Sequence, residues 1–200
     1  MIRHTLLVGL LLSPLSALAA EWEEIENENG IVTWRKSVEG SRMMAFRGEG
    51  EFDVPVGRIA GLMNDAEKGS SWVDMLIDVQ VLEKTSPTET VLYQHYDLSW
   101  PISDRDYVMR RTMEADDGAK VVTVRFASLE RSDKPAEDCC VRATAHGTFW
   151  RFTQIESGRT KIEVEVHTDP MGWLPSWLVN MVQKGWPRTS IEGLVSRSQK

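Results

Sequence analysis

Cysteine is nearly absent from this 200-residue sequence, and the only two, Cys139 and Cys140, are adjacent. Two cysteines cannot form the multi-bridge framework that staples a small exported domain. Across a trans peptide their Cα atoms stand ~3.8 Å apart, shorter than the usual disulfide span, so a bond between them would be strained. A structural role at a strand start and a redox or intermolecular role both stay open for the pair. Positive charge is also scarce: 23 Lys and Arg face 30 Asp and Glu, a formal net charge of −7. That balance argues against nucleic acid, whose binding rests on cationic contacts to phosphate. It also argues against tight electrostatic docking on anionic lipid, although a local basic patch can survive an acidic average. The chain lacks a His-Glu-x-x-His pattern, a cysteine pair at zinc-finger spacing, a Gly-x-Ser-x-Gly elbow and a phosphate-cradling glycine loop. His95, His146 and His167 fall on three separate strand-like segments. The expectation is no metal and no cofactor. No internal repeat is visible, and beyond the first 20 residues no apolar run approaches the ~20 residues of a membrane-spanning helix.

The N-terminus has its own pattern. Arg3 and His4 give a basic start, Thr5 to Leu12 form an apolar run, and Ala17-Leu18-Ala19 closes it with small residues. This reads as a secretory signal peptide over residues 1–19, cleaved after Ala19, with an uncleaved amphipathic anchor as the alternative. The expected address is periplasmic or secreted. Loss of Arg3 leaves 22 basic and 30 acidic residues in a domain spanning 20–200, long enough for a single sizeable core.

Within that domain, Ile31–Val38 and Met43–Phe52 read as strands separated by Glu39-Gly40. Asp53-Val54-Pro55 opens a helix whose Val56, Ile59, Ala60, Leu62 and Met63 recur at helical spacing. A shorter helix or turn follows over Glu67–Trp72. Six strand candidates come next: Ile77–Lys84, Thr90–Leu98, Asp106–Glu114, Lys120–Glu130, Val141–Thr153 and Thr160–Thr168. Turn signals such as Asp116-Asp117-Gly118 and Glu156-Ser157-Gly158 mark antiparallel hairpins. The last 31 residues, Pro170–Lys200, read as a helix that Pro175 opens, with Gly185 and the kink-favouring Pro187 inside it. The order predicts an α+β domain in which a curved antiparallel sheet wraps a C-terminal helix.

The most unusual stretch is Trp100–Arg111, an apolar loop joined to a strand with five ionisable residues between Asp104 and Arg111. Trp100-Pro101-Ile102-Ser103-Asp104-Arg105-Asp106-Tyr107-Val108 resembles the signature of START domains, the steroidogenic-acute-regulatory-related lipid-transfer family. The resemblance extends through Gly30-Ile31-Val32-Thr33-Trp34-Arg35, Phe46-Arg47-Gly48-Glu49-Gly50, Val141-Arg142, Gly147-Thr148-Phe149-Trp150, Asp169-Pro170 and Leu174 to Asn180. It implies a helix-grip fold of the bacterial secreted type, with an internal tunnel that holds one lipid or other hydrophobic molecule without chemical change. It also implies a tunnel mouth gated by the C-terminal helix and the 98–104 loop: Trp100, Ile102, Trp177, Gly185 and Pro187. The wider superfamily includes polyketide cyclases, which makes a cyclase-like or hydrolytic enzyme the alternative.

Strand alternation supports a cavity independently. Leu92, Gln94, Tyr96 and Leu98 share one face of their strand, opposite Val91, Tyr93, His95 and Asp97. Tyr107, Met109 and Arg111 share a face of the next, and Ile162, Val164 and Val166 share a face of the last. With Leu178, Met181 and Val182 of the final helix, these are the expected lipid-contacting residues: aliphatics for the hydrocarbon and a few polar groups for the head. Core filling is the competing reading for each. Arg111 is the sharpest expectation, because a buried guanidinium needs a partner. A ligand phosphate or carboxylate would serve, as would an internal acid. Sterol-binding members resemble a pairing of this arginine with a carboxylate on the preceding strand; Leu92 and Gln94 here argue against a sterol. Asp104, Arg105 and Asp106 read as strand-start charge anchors rather than catalytic groups. Trp100, Trp173, Trp177 and Trp186, around the expected mouth, suit transient contact with a membrane interface.

Overall fold

A computed structural model describes residues 21–98, 100–116 and 118–200; the expected signal segment lies outside the described residues. The strands are β1 (Glu23–Glu28), β2 (Ile31–Ser37), β3 (Met44–Phe52), β4 (Leu76–Ser86), β5 (Glu89–Tyr96) and β6 (Asp104–Ala115), then β7 (Val121–Ser128), β8 (Cys140–Arg142), β9 (Thr144–Glu156) and β10 (Arg159–Asp169). Between β3 and β4 come helix α1 (Val56–Asn64) and a 3₁₀ turn (Ala66–Ser71), and the chain ends in helix α2 (Ser176–Ser198). The sheet order is β1-β2-β3-β10-β9-β7-β6-β5-β4, with β8 added in parallel to β6 and every other pair antiparallel. The sheet stays open, with β1 and β4 as its ends.

The expected α+β helix-grip architecture is the one observed, with three local differences. β1 precedes the first clearly strand-like segment. Its sequence, Glu-Glu-Ile-Glu-Asn-Glu, has almost no apolar alternation, and pairing with β2 plus two arginines hold it. Arg35 grips Glu23, and Arg188 of α2 reaches Glu26 at 3.0 Å. The β1–β2 turn places Asn29 and Gly30 at φ 55° and 75°, conformations that asparagine and glycine tolerate best. Second, Val141–Thr153 is two strands, because the chain changes partner at Ala143: β8 runs beside β6, and β9 pairs β7 and β10. Third, Cys139 and Cys140, whose roles the sequence leaves open, are bonded to one another as a vicinal disulfide.

The core lies where α2 crosses the concave face of the sheet. Ile191 and Leu194 of α2 and Ile59 of α1 are fully buried against Val124, Trp150, Phe152, Ile162 and Val164. Each such aliphatic side chain contributes up to ~1.5–3 kcal/mol by leaving water. Two glycines permit the close approach. A Cβ on Gly48 of β3 would stand 2.9 Å from Cβ of Pro187, and one on Gly193 would stand 2.1 Å from the Trp72 carbonyl oxygen. Pro187 is thus buried against the sheet, and α2 continues through it. Among the described residues no helix is long and apolar enough to cross a membrane.

Candidate functional site

Where the packed core ends, the space between the sheet and the first half of α2 is a cavity of about 270 Å³. The period-2 pleat of β5 and β6 supplies one wall: Leu92, Gln94, Tyr96 and, just past β5, Leu98, beside Tyr107, Met109 and Arg111. Helical spacing on α2 supplies the opposite wall through Leu178, Val179, Val182, Gln183 and Trp186. Leu62 and Met63 of α1, Trp72 and Met75 close one end, and Ile102, Pro170 and Leu174 border the other. Trp150 joins the cavity to the core and makes edge contacts with Trp72 and Trp186 at 5.7 and 6.0 Å between centroids.

The lining is mostly apolar, and its few polar groups are engaged with the protein. Arg111, 2% exposed, points its fork at the end of α1, donating to the Met63 carbonyl at 2.7 Å, the Asn64 carbonyl at 3.2 Å and Asn64 Oδ1 at 3.4 Å. Its partner is therefore the C-terminus of a helix, whose last carbonyls have no intrahelical donors and carry partial negative charge. Among the described residues, the remaining buried Nε has no hydrogen-bond partner. Burial lowers the Arg111 pKa, yet a guanidinium stays charged. Tyr96 donates to Gln94 Oε1 at 3.1 Å, and its ring meets Tyr107 edge-on at 5.5 Å. Burial raises both phenols, Tyr107 to about 12 even though a hydrogen bond with Thr168 opposes the shift. Both are neutral hydroxyls at physiological pH. Gln183 of α2 donates to Thr168 Oγ1 at 2.7 Å, tying α2 to β10.

The charge cluster at the start of β6 is an anchor in three directions. Asp106, with no exposure, receives both Arg142 Nε at 2.8 Å and a second guanidinium nitrogen at 3.1 Å, as well as the Glu137 backbone N–H at 3.3 Å. Asp104 Oδ2 lies 2.7 Å from His95 Nε2 on the outer face. Arg105, 4% exposed, donates to the carbonyls of Ser103, of Pro170 at 2.7 Å and of Met171 at 3.3 Å. It clips the loop before β6 to the lead-in of α2. Outside this clip stand Trp100, 93% exposed, Trp173, 92% exposed, and the exposed Trp177 and Met181.

The structure brings together on the cavity wall Leu92, Gln94, Tyr96, Leu98, Tyr107, Met109, Arg111, Val166, Leu178 and Val182, with Ile102 at the border. Ile162 and Val164 share the inward face of β10 with Val166 but lie deeper, in the packed core under α2 and α1, so they do not line the cavity. Met181 points outward, because the cavity-facing stripe of α2 passes through 178, 179, 182 and 183. Among the residues expected at the gate, Trp100 and Trp177 are exposed and do not line the cavity. Gly185 faces open space, and Pro187 packs on Gly48 away from the cavity. Sequence reasoning missed the α1 end, Trp72, Met75, Trp150 and Arg105 as wall residues. Met63 was on the apolar stripe of its helix; nothing in the local sequence marked the others.

Comparison with known proteins agrees with this geometry. The START domain family model matches residues 10–199. An uncharacterised protein of Pseudomonas aeruginosa is 28% identical over 185 residues, covering 92% of this chain and 90% of that one. The phosphatidylcholine transfer protein of Bos taurus is 24% identical over 183 residues, covering 90% of this chain and 85% of its own. The crystal structure of a STAR-related lipid transfer protein from Xanthomonas axonopodis superimposes with a TM-score of 0.77 at 26% identity, covering 90% of this chain and 99% of that one. An open sheet gripping a C-terminal helix over an apolar cavity, and a family match across nearly the whole chain, agree: this chain belongs to the START domain family.

Proposed function

We propose that the protein binds one lipid or other hydrophobic molecule in the cavity beneath α2 and moves it between membranes without changing it chemically. The observation that carries this reading is the cavity itself: an apolar space with few polar groups, most of them paired within the protein. At about 270 Å³ it lies near the lower end of the ~300–1,000 Å³ typical of ligand pockets. A single hydrocarbon chain suits it as it stands, and a two-chain lipid requires the clip at Arg105 to open. Each buried methylene favours binding by ~0.8 kcal/mol, so affinity needs no covalent step. Arg111, Tyr96 and Tyr107 on the wall are the polar residues that would orient a polar or anionic end. The test is native mass spectrometry of the gently purified full chain, followed by extraction. A bound lipid mass is expected; repeated recovery of empty protein from membranes rich in lipid would refute the reading.

Transfer needs a membrane contact, and the exposed tryptophans beside the mouth supply an amphipathic surface for it. Replacing Trp100 and Trp173 together by Ser should slow transfer between neutral vesicles at least severalfold with no change in stability, since both rings are in water. Unchanged transfer would remove this surface from the account. The reading includes export, with the mature chain beginning at Ala20. N-terminal sequencing of protein from the periplasmic or culture fraction tests this, and an intact Met1 there would contradict it.

A further inference from the structure

On the face of β5 opposite the cavity, His95 meets a cysteine pair that is distant in sequence. The parallel pairing of β8 with β6 sets Cys140 opposite Asp104, and this brings its Sγ to 3.4 Å from His95 Nε2. The donor atoms of His95, Cys139 and Cys140 all lie within 4.8 Å of one another. The same His95 Nε2 is 2.7 Å from Asp104 Oδ2, while Asp104 Oδ1 accepts the Leu98 backbone N–H at 3.4 Å. We propose that, when the Cys139–Cys140 disulfide is reduced, His95, Cys139 and Cys140 form a three-donor binding site for a thiophilic d¹⁰ cation of the zinc type.

The donor chemistry selects the ion class. Two thiolates and an imidazole favour soft or borderline cations over magnesium and calcium, which take oxygen ligands. Zinc in a tetrahedral site has bonds of ~2.3 Å to sulfur and ~2.0–2.1 Å to nitrogen, so its ligand atoms stand roughly 3.3–3.8 Å apart. The Cys140–His95 separation of 3.4 Å already falls in that range. Cleaving the disulfide lets the sulfurs separate to the same spacing. His95 and Asp104 are partly covered, whereas Cys139 is exposed and gives the ion a way in. The nearby cations do not compete for the thiolates: Arg142 is bound to Asp106, and Lys134 lies over the Tyr93 ring and pairs with Glu137.

The chemistry balances in two steps. A dithiol reduces the S–S bond by exchange, its two thiol hydrogens passing to the cysteine sulfurs as it becomes a disulfide; a phosphine does so together with one water, whose oxygen ends in the phosphine oxide and whose two protons end on the two thiols. The cation then displaces both thiol protons and takes the Nε2 lone pair, leaving the imidazole proton on Nδ1.

The test uses the full chain, oxidised or reduced with a phosphine that is then removed without air, titrated with zinc against a chromophoric chelator. One zinc per reduced chain and none per oxidised chain are expected. The C139S/C140S double variant should lose binding, and His95→Gln should weaken it at least tenfold. Cobalt(II) in place of zinc should show a thiolate charge-transfer band that needs both cysteines. Reduced protein that takes up no more zinc than the double variant would overturn the proposal, as would His95→Gln binding as tightly as the native chain. If the variants fail to fold, the oxidised-versus-reduced comparison and the cobalt spectrum of the native chain still decide.

Discussion

Arg111 is the residue whose role the structure changes most, and its replacement is a quantitative test. In Arg111→Met the carbonyls of Met63 and Asn64 lose donors at 2.7 and 3.2 Å, and the end of α1 loses a buried cation. Hydrogen bonds to a charged group contribute ~1.5–3 kcal/mol each. A cation at a helix C-terminus adds up to ~2 kcal/mol in a partly buried setting. Against this stands the relieved cost of burying the guanidinium, several kcal/mol before compensation. The net expectation is a loss of about 3 kcal/mol. With a urea m-value of about 2–3 kcal/mol/M, the midpoint should fall by roughly 1–1.5 M. Arg111→Lys keeps the charge but not the fork, so it should fall between. Urea unfolding followed by tryptophan fluorescence reads both. A midpoint for Arg111→Met within ~0.3 M of the native chain would refute the capping role and return Arg111 to a ligand-only anchor, still on the midpoint-to-energy scale used above.

Gly193→Ala should destabilise by about 1–3 kcal/mol, because its Cβ would meet the Trp72 carbonyl at 2.1 Å. Gly185→Ala, whose Cβ meets nothing within 4 Å, should stabilise by ~0.5–1 kcal/mol; equal midpoints for the two variants in thermal unfolding would contradict the packing described. His167 contributes a pH dependence. Burial, and then the charge of neighbouring His146, hold its pKa below the ordinary 6.5, so the unfolded chain takes up that proton first. The stability is present above ~6.5 and is lost as pH falls through that value toward the folded pKa. The urea midpoint should therefore fall more between about pH 7.5 and 5.5 in the native chain than in His167→Gln, and an equal fall would remove His167 as the cause.

The sequence is informative here wherever one strand's own alternation decides a face. Leu92, Gln94 and Tyr96 against Tyr93 and His95, and Tyr107, Met109 and Arg111 against Val108, follow from the pleat alone. Alternation does not say how far along a face a crossing helix reaches, which is why Ile162 and Val164 could not be separated from Val166. The footprint of α2 is set by Gly48 and Gly193, at contacts distant in sequence. β1 was hidden because its strand is stabilised by pairing and by Arg35 and Arg188 rather than by an apolar face. The partner of Arg111 was hidden because backbone carbonyls at a helix end leave no residue-type signature. The meeting of His95 with the cysteine pair depends on β8 leaving β9 for β6, a break at Ala143 that no turn residue announces.

The proposed function places a lipid in the space between β5, β6 and α2. The most direct measurement is native mass spectrometry of the native chain beside Met109→Trp, a substitution that fills the cavity from its wall, with circular dichroism to verify the fold. A bound lipid mass on the native chain and a folded, lipid-free variant are expected. The same bound mass on both proteins would contradict that placement.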